Sequence, residues 1–194
     1  VAWIENVIDY LDEPGEWCVN TKTRKIYYWP KNGTPSNNIQ APKLMELLRV
    51  EGKIQYDLPN DIPARNINFK GLTFTKGDRS VWYKNRKGWG IQHDWDTFDY
   101  GNALLRFRGA ENCNVTECRF TNSGGSAMRL DLHAQNIEIK NNYSDYVGHM
   151  GILLAGYGPG TKDVNKNNII ENNILHHVGQ VIWHGHAIFA WQSG

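Results

Sequence analysis

Short runs of alternating apolar and polar residues recur along the second two-thirds of the chain. In Asn66-Ile67-Asn68-Phe69-Lys70-Gly71-Leu72-Thr73-Phe74 the apolar positions are spaced as in a short strand with one buried face. The pattern returns as Asn112-Cys113-Asn114-Val115-Thr116-Glu117-Cys118-Arg119-Phe120 and as Asn136-Ile137-Glu138-Ile139-Lys140-Asn141-Asn142. A fourth copy is Asn168-Ile169-Ile170-Glu171-Asn172-Asn173. The starts at 66, 112, 136 and about 168 give a basic period of about 24 residues lengthened by insertions, as expected for the coils of a solenoid. After each run comes a glycine turn (Gly124-Gly125, Gly148 or Gly179), and a second strand such as Gly151-Ile152-Leu153-Leu154 belongs to the same coil. Asn142 and Asn173 hold equivalent places. An inward amide at a turn can bond the backbone of the coils above and below, so both are predicted to be structural.

The first third does not repeat. Trp3, Ile4, Val7, Ile8 and Leu11 fall at helical spacing and predict a short amphipathic helix over 2–11, ended by Pro14-Gly15. Glu16-Trp17-Cys18-Val19 and Lys25-Ile26-Tyr27-Tyr28-Trp29 flank a polar turn and predict a β-hairpin. Residues 30–42, rich in Pro, Gly, Asn and Ser, are predicted to be loop. The division that follows is a hairpin and cap region over 1–65 and parallel coils over 66–194.

Two insertions interrupt the coils. Residues 78–101 carry Trp82, Tyr83, Trp89, Trp95, Phe98 and Tyr100 together with Asp94, Asp96 and Asp99. Residues 155–164 form a glycine-rich loop that lacks the Lys-Ser/Thr ending and following helix of a phosphate cradle. Solenoid insertions commonly build the binding face. Eight tryptophans among 194 residues fit that role, because sugar C–H faces stack on such rings. Trp89, Asp94, Trp95 and Tyr157 from the insertions, with His184, His186 and Trp191, are the candidate substrate-binding residues.

Candidate chemistry lies in Arg129-Leu130-Asp131-Leu132-His133. On a regular strand Arg129, Asp131 and His133 share one face and the leucines the other. An arginine would keep the carboxylate ionised, and imidazoles as a class exchange protons near neutrality. His149 begins a strand one coil later and would stack about 5 Å away along the axis. Arg129, Asp131, His133 and His149 are therefore the candidate catalytic residues. His184 and His186, at i and i+2, could share a metal, but no third ligand is evident and no metal site is assigned. His176-His177 is expected to be a solvated turn.

Charge and cysteine content narrow the function. With 21 basic and 20 acidic residues the net charge is +1, which is not the footprint of a nucleic-acid binder. No apolar run is long enough for a membrane span, so neither nucleic acid nor membrane is an expected partner. Cys18, Cys113 and Cys118 match no zinc spacing and cannot all pair within one chain, and Cys113 and Cys118, which fall at repeat positions held elsewhere by Ile, Leu or Asn, are expected to be buried free thiols.

The hairpin Leu11-Asp12-Glu13-Pro14-Gly15-Glu16-Trp17 with Ile26-Tyr27-Tyr28-Trp29-Pro30 resembles the opening of bacterial right-handed parallel β-helix proteins of the glycoside-hydrolase and polysaccharide-lyase type, the pectin-lyase-like superfamily. The first repeat resembles them too, as do Gln92-His93-Asp94-Trp95, Arg129-Leu130-Asp131-Leu132-His133, Gly156-Tyr157-Gly158-Pro159-Gly160 and Ile188-Phe189-Ala190-Trp191-Gln192-Ser193-Gly194. The resemblance implies an all-β solenoid with a groove along a parallel sheet, where acidic residues act on a polysaccharide or oligosaccharide. Asp131 is the best single candidate, and the second carboxylate that a glycosidase needs is not identified. A hydrolase needs no cofactor. The alternatives are a lyase acting on a uronic-acid polymer, which would often add calcium, and a non-catalytic glycan-binding or structural β-helix. Such proteins continue through further coils, so the chain is expected to be an N-terminal part, with an open end that favours self-association and with activity residing in the full-length parent. A secreted or periplasmic location follows from this function alone.

Overall fold

The computed structural model describes residues 4–79, 102–157, 162 and 165–191. The chain forms two compact units, residues 1–41 and 42–194. In the first, β1 (Trp17–Asn20) pairs antiparallel with β2 (Lys25–Tyr28), the predicted hairpin. The expected helix is not there. Only one turn of 3-10 helix, Ile8–Tyr10, forms, and none of its residues is buried. Asn6 lies in the left-handed region at φ 61°, and its Oδ1 accepts the Val19 amide at 3.1 Å. A residue so placed breaks a helix, and the apolar spacing around it finds no core to face: Ile4 and Ile8 are exposed.

The second unit is a parallel β-helix of three sheets. The first sheet runs β16 (Ile188–Trp191), β13 (Ile152–Ala155), β10 (Ser126–Gln135), β7 (Ala103–Glu111) and β3 (Leu48–Glu51), with β4 (Ala64–Arg65) also on β7. The second runs β14 (Ile169–Glu171), β11 (Glu138–Lys140), β8 (Asn114–Thr116) and β5 (Asn68–Lys70). The third runs β15 (Ile174–His176), β12 (Tyr143–Val147), β9 (Arg119–Ser123) and β6 (Thr73–Thr75). Every pairing within these sheets is parallel, so each coil contributes one strand in turn to each sheet. The solenoid starts before residue 66, because β3 and β4 already pair in register with β7.

Two corners of each coil, and a bend near the end of the third strand, turn through left-handed residues stacked in register. One column is Asn66, Asn112, Asn136 and Asn167; a second is Gly71, Glu117, Asn141 and Asn172; a third is Lys76, Asn122, Tyr146 and His177. Asparagine tolerates this conformation better than most residues, which explains its recurrence in the repeats. Register pairs Glu138 with Ile169, so the fourth repeat starts at Asn167 and not at Asn168. The Asn168 side chain sits instead in the inward slot held by Cys113 and Ile137 in earlier coils, where its Oδ1 accepts the Ile137 amide at 2.9 Å.

The core is a continuous stack of side chains including Phe69, Phe74, Phe107, Val115, Phe120, Met128, Leu130, Ile139 and Ile152. Phe74 and Phe120 stack at 4.9 Å between ring centres. All three cysteines are free and buried. Coils approach closely where glycines stack: a Cβ on Gly148 would run into the Gly124 carbonyl of the preceding coil. Asn142 forms the predicted ladder. Its Oδ1 accepts the Cys118 amide, its Nδ2 donates to the Val115 carbonyl and to Asn173 Oδ1, and its own amide donates to Asn173 Oδ1, each at 2.9 Å. Asn142→Ala leaves the Val115 carbonyl and the Cys118 amide buried without this partner. It should lower stability by about 1–3 kcal/mol, read from the urea midpoint.

Candidate functional site

The candidate site occupies the face of the first sheet that points away from the core. On β3, β7 and β10 the segments Leu48-Arg49-Val50-Glu51, Leu105-Arg106-Phe107-Arg108 and Met128-Arg129-Leu130-Asp131 align residue for residue. The apolar members enter the core and the charged members face out. Parallel register therefore stacks Arg49, Arg106 and Arg129 in one row, continued by Leu153 and Phe189, and Glu51, Arg108 and Asp131 in the next, continued by Ala155 and Trp191. Like charges one strand apart repel, and carboxylates between the rows offset this. Asp131 accepts from both Arg106 and Arg129, one on each carboxylate oxygen. Arg129 also donates to Asn102 at 3.0 Å. Glu51 accepts from Arg49 at 3.1 Å and from Arg108 at 2.5 Å, which together hold its carboxyl below the usual carboxylate range. Arg106, Arg129 and Asp131 have no exposed surface.

The expected trio is split. Pairing passes from Arg108/Asp131 to Ala110/Ala134, two steps on β7 against three on β10. The extra residue makes a bulge at Leu132-His133, with Leu132 at φ 55° beside Gly109 at φ 69°. Alternation fails there. His133 meets Glu111 instead, Nε2 to Oε1 at 2.7 Å, and its Nδ1 lies 3.8 Å from Asp61. Glu111 Oε2 accepts from Arg65 at 2.7 Å, and Arg65 and His133 hold the Glu111 carboxyl down. Asp61 is also held down: the Gln55 amide, Lys162 and the Tyr157 hydroxyl all donate to it, at 2.7–2.8 Å. Burial and Asp61 push the Tyr157 phenol above its ordinary value, so it stays a donor. Tyr157 and Lys162 are thereby held on Asp61, the carboxylate that faces His133 Nδ1. Asp61 is enclosed, whereas the Glu111 and His133 side chains keep 17% and 11% of their surface in contact with solvent.

His149 precedes β13 and is fully buried, with Nδ1 3.4 Å from Ser126 Oγ and no hydrogen-bond partner for Nε2 among the described residues. Burial, then Arg129, His186 and His184, bring its ordinary value of 6.5 down to about 3. It is a neutral neighbour of Arg129 rather than of Asp131. His186 stacks on Phe189, and Phe189 and Trp191 pack on Met150 and Leu153, leaving partly exposed aromatic surface beyond Asp131. Trp89, Asp94 and Trp95 lie outside the described residues. The sequence reading did not identify Arg106, Arg108, Glu51, Glu111 or Asp61. A signal existed for the first three in the repeated Leu-Arg-Val-Glu, Leu-Arg-Phe-Arg and Met-Arg-Leu-Asp segments. Asp61 comes from a non-repeating stretch and leaves no such trace.

This arrangement offers ionised carboxylates, an imidazole bonded to one of them, and aromatic surface along a single face. Residues 62–194 match a family profile described as a right-handed beta helix region. Residues 1–31 match one described as the GH141 insertion domain. No curated protein and no solved structure matches the chain significantly.

Asp131→Asn leaves two buried guanidinium groups without their shared anion. It should cost about 3–5 kcal/mol in chemical unfolding, beyond any effect on activity. His149 yields a pH prediction. Its folded value lies below its unfolded one, so the unfolded chain takes up a proton that the folded chain does not. The stability it contributes is complete above about pH 6.5 and is lost as pH falls toward 3, by at most about 1.4 kcal/mol per pH unit. Urea midpoints between pH 6.5 and 5, above the range where Asp61 and Glu111 titrate, should fall in the parent and flatten in His149→Gln.

Proposed function

Because the chain belongs to the right-handed β-helix family and, with a GH141 insertion-domain match at its start, is a carbohydrate-active protein, we propose that it is part of a glycoside hydrolase whose glycan lies along the outward face of the first sheet. The Glu111–His133 pair carries this reading: among the described residues of that face it is a directly bonded carboxylate and imidazole with solvent access. Glu111, held ionised, is suited to take a proton from the attacking water. His133 orients that carboxylate, and the acid that serves the leaving oxygen belongs on the other side of the glycosidic bond, about 5 Å or more from Glu111. Arg129 and Asp131 then act as a buried charged floor that fixes β10 beneath the site, and His149 packs beside that floor. Phe189 and Trp191 offer stacking surface for sugar rings in line with it, with Tyr157 at the rim and His184 and His186 near the far end. The reading requires no metal or cofactor and implies a secreted or periplasmic protein that meets its substrate outside the cytoplasm.

A panel of neutral and acidic glycans, assayed for new reducing ends with the full-length protein, tests it. Glu111→Gln should lower turnover on the responsive glycan by about 100-fold or more while KM and the melting curve change little. Unchanged turnover in this variant would remove Glu111 from the chemistry. Unsaturated, ultraviolet-absorbing products would assign a lyase, and glycan binding without cleavage would assign a binding module. Either result overturns the hydrolase.

A further inference from the structure

The third sheet carries a cluster that the glycan reading does not use. Register places Thr75, Thr121, Asp145 and His176 in one row across four coils, and His177 follows at the left-handed bend. Asp145 Oδ1 lies 3.2 Å from His176 Nδ1 and 3.1 Å from His177 Nδ1, and the two Nδ1 atoms are 2.6 Å apart. Three donor atoms from two successive coils thus converge on one point. The edges of a tetrahedron with metal–ligand bonds of about 2.0–2.1 Å measure about 3.3 Å, so two sides of this triangle already match a zinc site. The third needs the imidazoles to part by less than 1 Å, as they would around a cation. Without a proton or a cation between them, those two nitrogens bring lone pairs face to face.

The surroundings orient the donors. With Nδ1 turned inward, His176 Nε2–H donates to Tyr143 Oη at 2.7 Å, and Tyr143 Oη lies 3.4 Å from the other Asp145 oxygen. A polar partner on the far ring nitrogen is the usual companion of a metal-bound histidine. Tyr146 stacks on the His177 ring, centroids 4.4 Å apart and planes 5° apart. Arg119 lies over the Tyr143 ring at 4.7 Å. Asp145 is buried, His176 is half-buried and His177 is exposed, so the donor atoms are reachable from solvent.

We propose that Asp145, His176 and His177 form a binding site for a borderline divalent transition metal, zinc by donor type, that pins the fourth coil to the third. Two imidazoles and one carboxylate suit zinc and exclude a preference for calcium or magnesium, which take all-oxygen shells. The site lies on a different sheet from Glu111 and His133, so it can be tested independently of the hydrolase.

Titration of EDTA-treated, dialysed protein with zinc chloride, followed calorimetrically, should give one equivalent bound and a higher melting temperature, with calcium chloride giving neither. His176→Ala, and His177→Asn, which keeps a residue tolerant of the left-handed bend, should each weaken binding by 10-fold or more. Their melting curves in EDTA should stay close to the parent's, which separates loss of a ligand from loss of fold. Tyr143→Phe should weaken binding less, because it removes only the group orienting His176. Absence of zinc binding, or binding that survives the His176 and His177 variants and is lost in His184→Ala/His186→Ala, overturns the site.

Discussion

Coil-to-coil registration is the constraint on which the rest of this structure depends. Each strand of the solenoid satisfies its backbone on the strands one coil above and below, so a slip at one corner would misplace every later hydrogen bond. The chain holds register by turning each coil through left-handed residues at matched positions, from Asn66 to Asn167, from Gly71 to Asn172 and from Lys76 to His177. The Asn142–Asn173 ladder then satisfies peptide groups at one corner that the turn would leave unpaired. Insertions are tolerated because they leave between fixed corners and return to the same register.

The same constraint dictates the charged face. Stacking equivalent positions puts equivalent side chains about 4.8 Å apart, so an outward arginine that repeats becomes a row of arginines. Such a row is stable only with anions between its members. Asp131, Glu51 and Glu46 fill that need, Asp131 by bridging Arg106 and Arg129. With Arg106, Arg129 and Asp131 enclosed, the network sets the floor of the face. At the edge of this network the Leu132-His133 bulge turns an imidazole toward Glu111.

That bulge is also why the site was only half legible. Period-two alternation puts Arg129, Asp131 and His133 on one face, and for the first two this is how they lie. One extra residue on β10, accommodated by a left-handed Leu132 opposite Gly109, breaks the period before His133. Nothing in the local composition marks it, because leucine is an uncommon residue for that conformation. Glu111 ends β7 and joins His133 only through this irregularity. The cluster of Asp145, His176 and His177 was hidden for a related reason: Asp145 precedes the histidine pair by more than a whole coil of sequence, and only exact register makes them neighbours.

By itself, the sequence determined the architecture: repeated apolar–polar alternation, asparagines at the corners and small residues at the turns leave little choice but stacked parallel coils. It also settled the hairpin, the free thiols of Cys113 and Cys118 and the structural role of Asn142, since each follows from local pattern or from the repeat. Tertiary structure alone decided which charges are enclosed and which reach solvent, because burial depends on what packs against a face and not on the residue's own neighbours in sequence. It also decided where the repeat starts, by register at Asn167, and replaced the amphipathic segment at the start of the chain with a single turn, since helical spacing stabilises a helix only where a core receives it.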